Sequence, residues 1–195
     1  MEDLYYITTQ KEPTAAVLDA VSNFPRPYRL SKDGSIAEDF PKNVQLSMLP
    51  NYGMELRDFV NSQSDVLVIS ERVKEFLEAQ DDVENVEMLP VAVLDHKGRV
   101  VDEPFYIAHL LNHQDCLNGD ASGGEVWPFK PDVFASVERL ILKEDCLDPS
   151  VALFRLNRYP YPVLVRQSLA DRIVAEGFTG ITLNELSDFK HLATL

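Results

Sequence analysis

The sequence predicts an α+β fold with a mixed sheet, because one strand–helix pattern occurs twice among many other short strand signals. The first copy, DVLVISERVKEFLEAQ, covers residues 65–80, and the second, YPVLVRQSLADRIVAEG, covers residues 161–177. Each copy has a short apolar strand, a polar residue suited to cap a helix, and an amphipathic helix. The length of 195 residues suits one domain. Within it we expect an N-terminal cap region over residues 1–60 and a main α+β body over residues 61–195.

The N-terminal region has weaker signals than the rest of the chain. Residues 4–8 (LYYIT) are rich in β-favouring side chains and predict a strand. Residues 13–22 begin with proline and predict a short helix. Residues 35–51 have no clear period, so we expect mostly irregular chain there.

The first strand–helix copy begins with residues 65–69, a nearly continuous apolar run that predicts a strand covered on both faces. Ser70 follows as the expected N-cap of the helix. Val73, Phe76 and Leu77 then recur at the spacing of one apolar helix face.

The middle of the chain predicts strands and one flexible loop. Residues 86–94 and 99–101 flank the turn sequence DHKG, which predicts a hairpin. Residues 105–113 fit a strand or a short helix. The sequence NGDASGG at residues 118–124 predicts a flexible loop. Two further strands are expected, over residues 137–142 and 151–156.

The second strand–helix copy ends in a clear stop signal. Ser168 and Asp171 have the S-x-x-D spacing of a capping box, so Ser168 is the expected N-cap. Gly177 suits the left-handed residue that ends a helix. A strand over residues 181–183 is predicted to follow.

The charge of the chain restricts its partners. The formal net charge is −14 and the isoelectric point is about 4.6. A field of this sign repels nucleic acid and anionic membranes, and it attracts basic partners. The simpler alternative is that the acidity only keeps the protein soluble.

The ends and the cysteines of the chain indicate a cytoplasmic protein. The start, MEDLYYITTQ, has no basic segment followed by an apolar one, and no apolar run approaches the ~20 residues that span a bilayer. Cys116 and Cys146 have no spacing typical of a disulfide framework or a zinc site. We therefore expect no signal peptide, no membrane association and no cofactor.

Few residues have a pattern typical of catalysis. His109 and His113 are four residues apart and would share one face of a helix, where Asp115 could add a metal ligand. This pattern keeps open a small metal-dependent or hydrolytic enzyme, although the glutamate of H-E-x-x-H is missing. A cysteine–histidine pair is less favoured, because Asp145 would raise the pKa of the Cys146 thiol. We expect ordinary histidines and no catalytic or metal residues.

Other residues suit a protein interface. Trp127 and Phe129 follow the predicted flexible loop, and tryptophan is enriched in binding hot spots. The alternative is that Trp127 folds back onto the core. Two acidic clusters could meet a basic partner, or could be a solvated acidic rim. They consist of Asp81, Asp82, Glu84 and Glu87, and of Glu144, Asp145 and Asp148.

Several strings, in this order, resemble one bacterial protein family. They are LRDFVNSQSDVLVISERVKEFLEAQ, VEMLPV, FYIAHLLNHQDCL, LFRL and VLVRQSLADRIVAEGFTGITLNEL. The elements that match are Asp58-Phe59-Val60, residues 68–72, residues 106–112 with Asp115, and residues 177–180. Over residues 26–186 the chain resembles the eleventh class of immunity proteins of polymorphic toxin systems. It departs from the family pattern at both histidines and in the loop of residues 119–127.

The resemblance implies a non-enzymatic protein that binds and neutralises a cognate toxin. It supplies no catalytic residues, and it fits the acidity of the chain if the toxin is basic. A cytosolic regulatory binding protein is the remaining alternative. The sequence leaves the oligomeric state open.

Overall fold

The computed structural model describes residues 3–10 and 12–189 and has an α+β fold, as predicted. Two α-helices, α1 (Glu71–Glu78) and α2 (Gln167–Glu176), lie among short strands. The strands are β1 (Leu4–Thr9), β2 (Val17–Leu18), β3 (Gln45–Ser47), β4 (Phe59–Ser62), β5 (Leu67–Ser70), β6 (Val86–Leu94), β7 (Phe105–Leu110), β8 (His113–Gln114), β9 (Glu125–Trp127), β10 (Lys130–Ser136), β11 (Leu153–Leu156), β12 (Val163–Arg166) and β13 (Ile181–Glu185).

The strands form two large mixed sheets and one hairpin. The six-stranded sheet has the order β2-β4-β5-β7-β6-β3, and the five-stranded sheet has the order β13-β1-β12-β11-β8. Strands β9 and β10 form the separate hairpin. The two strand–helix copies therefore lie in different sheets, whereas the sequence predicted one sheet for both.

One hydrophobic cluster joins the two sheets. Ile69 and Leu77 of the first copy pack in the same buried cluster as Val165 and Leu169 of the second. Each copy thus places its apolar helix face over a shared core, and the apolar faces of both units are removed from water together. Two further clusters cover the remaining faces, one with the N-terminal region and one beneath the hairpin.

The predicted helix caps are half right. The Ser70 hydroxyl accepts a hydrogen bond from the Val73 amide at 3.4 Å, as expected for an N-cap. In α2, however, Arg166 occupies the N-cap position, without a side-chain cap bond, and Ser168 lies inside the helix. The assignment of Ser168 was wrong because the helix begins two residues earlier than predicted, at Gln167, directly after the last residue of β12. The buried Arg166 side chain belongs to the strand and donates to the backbone oxygens of Asp148 and Val151.

Residues 13–22 do not form the predicted helix. Val17 and Leu18 instead form β2, which runs parallel to β4. The amides of Ala16 and Asp19 donate to the backbone oxygens of Glu55 and Ser47, so partners distant in sequence replace the helical hydrogen bonds.

Other elements confirm or correct the local predictions. Residues 105–110 form a strand, and the strands predicted near residues 4–8, 86–94, 151–156 and 181–183 are present. The strand predicted over residues 137–142 is wrong. Leu142 makes only an isolated bridge with Leu117, and the segment has no strand.

The N-terminal region is divided between the two sheets. Strand β1 lies inside the five-stranded sheet, between β12 and β13. Strands β2 and β3, which contain Leu18 and Leu46, form the two edges of the six-stranded sheet, and Ile36 lies in the same hydrophobic cluster as these residues. The assignment of one domain, with a cap region over residues 1–60 and a main body over residues 61–195, stays a prediction.

Candidate interaction surface

The hairpin of β9 and β10 presents large apolar side chains to solvent. Val126 is 46% exposed, Trp127 is 45% exposed and Phe129 is 96% exposed. Trp127 therefore does not fold back into the core, which was the alternative left open by the sequence. Large exposed apolar groups that lie close together are typical of binding sites.

The base of this hairpin is firmly packed. The ring of Phe134, which is buried, lies against the backbone of Gly119 and Gly124. A Cβ atom at Gly119 would lie 2.3 Å from Phe134 Cζ, and one at Gly124 would lie 2.6 Å from Phe134 Cδ1. The Arg158 guanidinium lies 4.5 Å from the centre of the same ring. The glycines of this loop thus permit close packing against Phe134, a role that the sequence analysis did not predict.

The buried hydroxyl of Ser122 holds the same loop from the other end. It accepts from the Ile141 amide at 3.1 Å, and the Ser122 backbone oxygen accepts from the amides of Glu138 and Arg139. Residues 118–124 are therefore tied to residues 138–141 by several hydrogen bonds.

The first acidic cluster is only partly free to meet a partner. Asp81 and Glu84 are exposed. Both oxygens of Asp82 accept from Arg172, at 2.6 and 2.7 Å. Glu87 was wrongly grouped with these residues, because its side chain accepts from the Ser35 hydroxyl and from the Ile36 amide.

The second acidic cluster lies on the surface. Glu144, Asp145 and Asp148 are all exposed. The Asp148 carboxylate accepts from the Ser150 hydroxyl at 2.6 Å and from the Ser150 amide at 2.9 Å. These hydrogen bonds lower the pKa of Asp148 below its usual value and keep it charged.

Backbone contacts bring the two acidic clusters and the base of the hairpin next to one another. The Asn118 amide donates to the Ile141 oxygen, and the Ala152 amide donates to the Asp82 oxygen, each at 2.9 Å. A third contact holds the second acidic cluster, because the Asp148 amide donates to the Gln114 side chain at 3.0 Å. The sequence-predicted interface residues therefore come from adjoining segments of the fold.

The two histidines do not form the predicted helical pair. His109 lies in β7 and His113 begins β8, so they share no helix face. His109 Nε2 lies 3.1 Å from the Gly34 oxygen in the buried interior, whereas Asp115 is exposed. Within residues 3–10 and 12–189, no group of three or more histidine, cysteine, aspartate or glutamate side chains is placed to hold a metal ion.

The cysteines lack the surroundings of an activated thiol. Cys116 is fully buried, and this burial raises its pKa to about 11. Its thiol therefore stays protonated at neutral pH, whereas a cysteine nucleophile must be in the thiolate form. Cys146 is exposed beside Asp145.

Several of the residues that carry the family resemblance meet at one partly exposed joint between the two strand–helix copies. The Asp58 carboxylate accepts from the amide and the hydroxyl of Thr179, each at 2.9 Å, and from the Ser70 hydroxyl at 3.0 Å. Arg72 lies 3.5 Å from the same carboxylate and stacks on the ring of Phe178. Burial alone would raise the pKa of Asp58, but these hydrogen bonds and the arginine charge outweigh it, so this pKa is lowered.

A cleft of about 310 Å³ between β1, β4 and β12 is a further candidate. Arg155 forms part of its wall and is 3% exposed. Its guanidinium donates to the backbone oxygens of Asp65, Pro160 and Tyr161. The arginine thus ties the 160–161 turn to the start of β5, and burial lowers its pKa to about 10. We assign this side chain a structural role.

Sequence reasoning missed the residues that hold the candidate surface in place. Phe134 and Arg158 had no distinctive local pattern, and their contact spans 24 positions of the chain. The three glycines of the loop were the available signal, because a glycine can mark close approach of the backbone as well as flexibility.

The fold and this surface define an α+β protein with an exposed apolar hairpin beside acidic turns. Residues 7–188 match the model of the Immunity protein family (Imm11), and the chain belongs to this family. The family suggests an immunity role, with a cognate toxin as the partner. No curated protein matches the chain. In the described part of the chain, no helix has the length and apolar character that crossing a membrane requires.

Proposed function

We propose that this protein binds its cognate toxin in the cytoplasm and blocks it by occlusion, without catalysis. The observation that supports the proposal most is the family match, which covers nearly the whole chain. The protein would act as a stoichiometric inhibitor, and its role would depend on affinity rather than on a reactive group.

The charge of the chain supports a basic toxin as the partner. A net charge of −14 creates a negative field that speeds the encounter with a positive surface. Exposed carboxylates contribute to this field without large desolvation costs, and those of the two acidic turns adjoin the hairpin. They are Asp81, Glu84, Glu144, Asp145 and Asp148.

The exposed aromatic residues support a contact with apolar surface as well. Trp127 and Phe129 would act as anchors that lose water on binding. Asp82 would contribute least, since it is already paired with Arg172.

If this protein is an immunity protein, we expect a secreted toxin to be encoded beside its gene, and co-expression with that toxin tests the proposal. Cells that make the toxin should survive when they also make this protein, and the two purified proteins should form a complex. Failure to rescue the cells and failure to bind would contradict an immunity role for this pair.

A titration of toxin activity distinguishes occlusion from catalysis. Purified protein is added in steps to a fixed amount of toxin, and residual activity is followed over time. Inhibition should reach its full extent at a fixed molar ratio and should then stay constant. Progressive loss of activity with far less than one equivalent would show that the protein inactivates toxin catalytically.

A further inference from the structure

The hairpin combines an exposed apolar tip with a closely packed base. Phe129 at the turn is almost fully exposed, whereas Phe134 in the same hairpin is buried. The exposure of Phe129 to water is unfavourable. The burial of Phe134 fixes the conformation of the strand that follows the tip.

Arg158 connects the hairpin to the five-stranded sheet. It follows β11 in the chain, and its backbone oxygen accepts from the Phe134 amide at 2.8 Å. Its guanidinium donates to the backbone oxygens of Asp132 at 3.2 Å and of Pro131 at 3.4 Å. The strand that follows the tip is thereby attached to the sheet by both backbone and side-chain contacts.

We infer that residues 118–136 form a preformed recognition hairpin, whose tip of Val126, Trp127 and Phe129 enters an apolar concavity of the toxin. Gly124, Phe134 and Arg158 are positioning residues that hold this tip in its binding conformation. The inference rests on the proposed function, and it adds how the toxin is contacted. A rigid tip binds more tightly than a flexible one, because less conformational entropy is lost on association.

Charge favours a toxin over a second copy of this chain as the occupant. Residues 118–136 carry three acidic side chains, Asp120, Glu125 and Asp132, and the basic side chain of Lys130. Arg158 adds a second positive charge at the base of the hairpin, where it contacts Asp132 and Pro131. Two copies would still repel each other, because each molecule has a net charge of −14. A concavity with an apolar floor and basic surroundings would match both the tip and its carboxylates.

The test measures association and dissociation rates with the toxin of the neighbouring gene, in a catalytically inactive form. Trp127→Ala and Phe129→Ala remove tip contacts, so the dissociation constant should rise on the order of 30-fold, mainly through faster dissociation. Tyr28→Ala is the matched control, since Tyr28 is 65% exposed and lies outside the hairpin. Its dissociation constant should stay close to that of the wild-type protein.

Gly124→Ala tests the positioning role without changing the tip. The added Cβ displaces the Phe134 ring, so a smaller fraction of molecules should have the binding conformation. Association should then slow roughly tenfold while dissociation stays close to wild type. Gly34→Ala is the control, because a Cβ there has no heavy atom within 4 Å. Phe134→Leu, a milder change, repeats the test if Gly124→Ala is poorly folded.

Each outcome decides a separate question. If the wild-type protein does not bind the toxin, the proposed function fails and this inference fails with it. If the wild-type protein binds but both tip variants bind equally well, the toxin contacts another surface and only this inference is overturned. Unchanged association rates for Gly124→Ala and Phe134→Leu would overturn the positioning role. Dimers that dissociate in Trp127→Ala, with unchanged toxin affinity, would assign the tip to a second copy instead.

Discussion

Asp58 is the residue on which most of the joint between the two strand–helix copies depends. Its carboxylate has a side-chain exposure of 14% and accepts three hydrogen bonds of 3.0 Å or less. Hydrogen bonds to a charged and partly buried acceptor are stronger than neutral ones, and their loss leaves several donors without a partner.

Replacement of Asp58 by asparagine should therefore destabilise the fold. We expect Asp58→Asn to lower the free energy of unfolding by about 2 kcal/mol, as measured by urea denaturation at pH 7. Asp39→Asn is the control, because Asp39 forms an ion pair with Arg29 but its side chain is 72% exposed. An equal loss of stability in both variants would contradict the role assigned to Asp58.

His113 should make the stability of the protein depend on mildly acidic pH. Burial lowers its pKa from 6.5 to about 4, so the unfolded chain binds a proton more readily than the folded protein in this range. The free energy of unfolding should decrease as the pH falls from about 6.5 to about 4, and His113 should add no further decrease below that.

Denaturation of His113→Gln at several pH values checks this expectation. Between pH 6.5 and 4, the free energy of unfolding of the variant should decrease less than that of the wild-type protein. His96→Gln, at an exposed turn, is the matched control. If both variants keep the full wild-type decrease, other groups cause it.

At the scale of secondary-structure elements, two glycines follow α2 and perform different tasks. Gly177 ends the helix with φ of 65°, and Gly180 begins the approach to β13 with φ of 82°. A Cβ at Gly177 would meet nothing within 4 Å, whereas one at Gly180 would lie 2.1 Å from the Phe59 backbone oxygen. Gly177 thus supplies only a backbone conformation, and Gly180 also permits contact between the two sheets.

Alanine at these two positions should separate the two effects. Gly177→Ala should lower the free energy of unfolding by about 1–2 kcal/mol, the cost of a left-handed residue with a side chain. Gly180→Ala should lower it further, because β4 must also move away. Thermal and urea denaturation of both variants measure the difference. Equal losses would mean that the chain relaxes around Gly180 without disturbing β4.

At the scale of the whole molecule, negative charge should set how fast the protein meets its toxin. The association rate with a basic toxin should fall steeply as ionic strength rises, because salt screens the attraction between exposed charges. Replacing Asp81, Glu84, Glu144, Asp145 and Asp148 by their amides should slow association roughly tenfold at low salt and should weaken its salt dependence.

A matched variant tests whether position matters as well as total charge. It carries the same number of amide substitutions at exposed acidic residues outside the two acidic turns. They are Asp33, Glu38, Glu75, Asp102 and Glu103. This variant should slow association less. Equal slowing in both variants would show that only the net charge matters, and salt-independent association of the wild-type protein would argue against a basic partner.

The fold could be predicted from the sequence where the signal was local. The apolar run and helix period of residues 65–80 identified β5, the Ser70 cap and α1, and Gly177 marked the end of α2. Ser168 and residues 13–22 misled the prediction, because the local pattern competed with hydrogen bonds from distant segments. The prediction that His109 and His113 form a pair failed for the same reason. Two residues that are four positions apart share a face only if the backbone between them is helical, and His109 lies in a strand.

The candidate surface could be predicted only in part. Trp127 and Phe129 were recognised from their position beside a turn, and their exposure agrees with that interpretation. The engagement of Asp82 by Arg172 and of Glu87 by residues 35–36 was not predictable, because each pair joins segments that are distant in sequence.

The sequence by itself determined the α+β class, the two strand–helix copies, the acidity and the family resemblance. These properties depend on composition and on patterns within a few turns of the chain. Only the tertiary structure decided that the copies lie in separate sheets, that Asp58 joins them and that a packed base supports the aromatic tip. Such features arise from contacts like that of Asp58 with Thr179, 121 residues apart, whose formation depends on the packing of the whole fold.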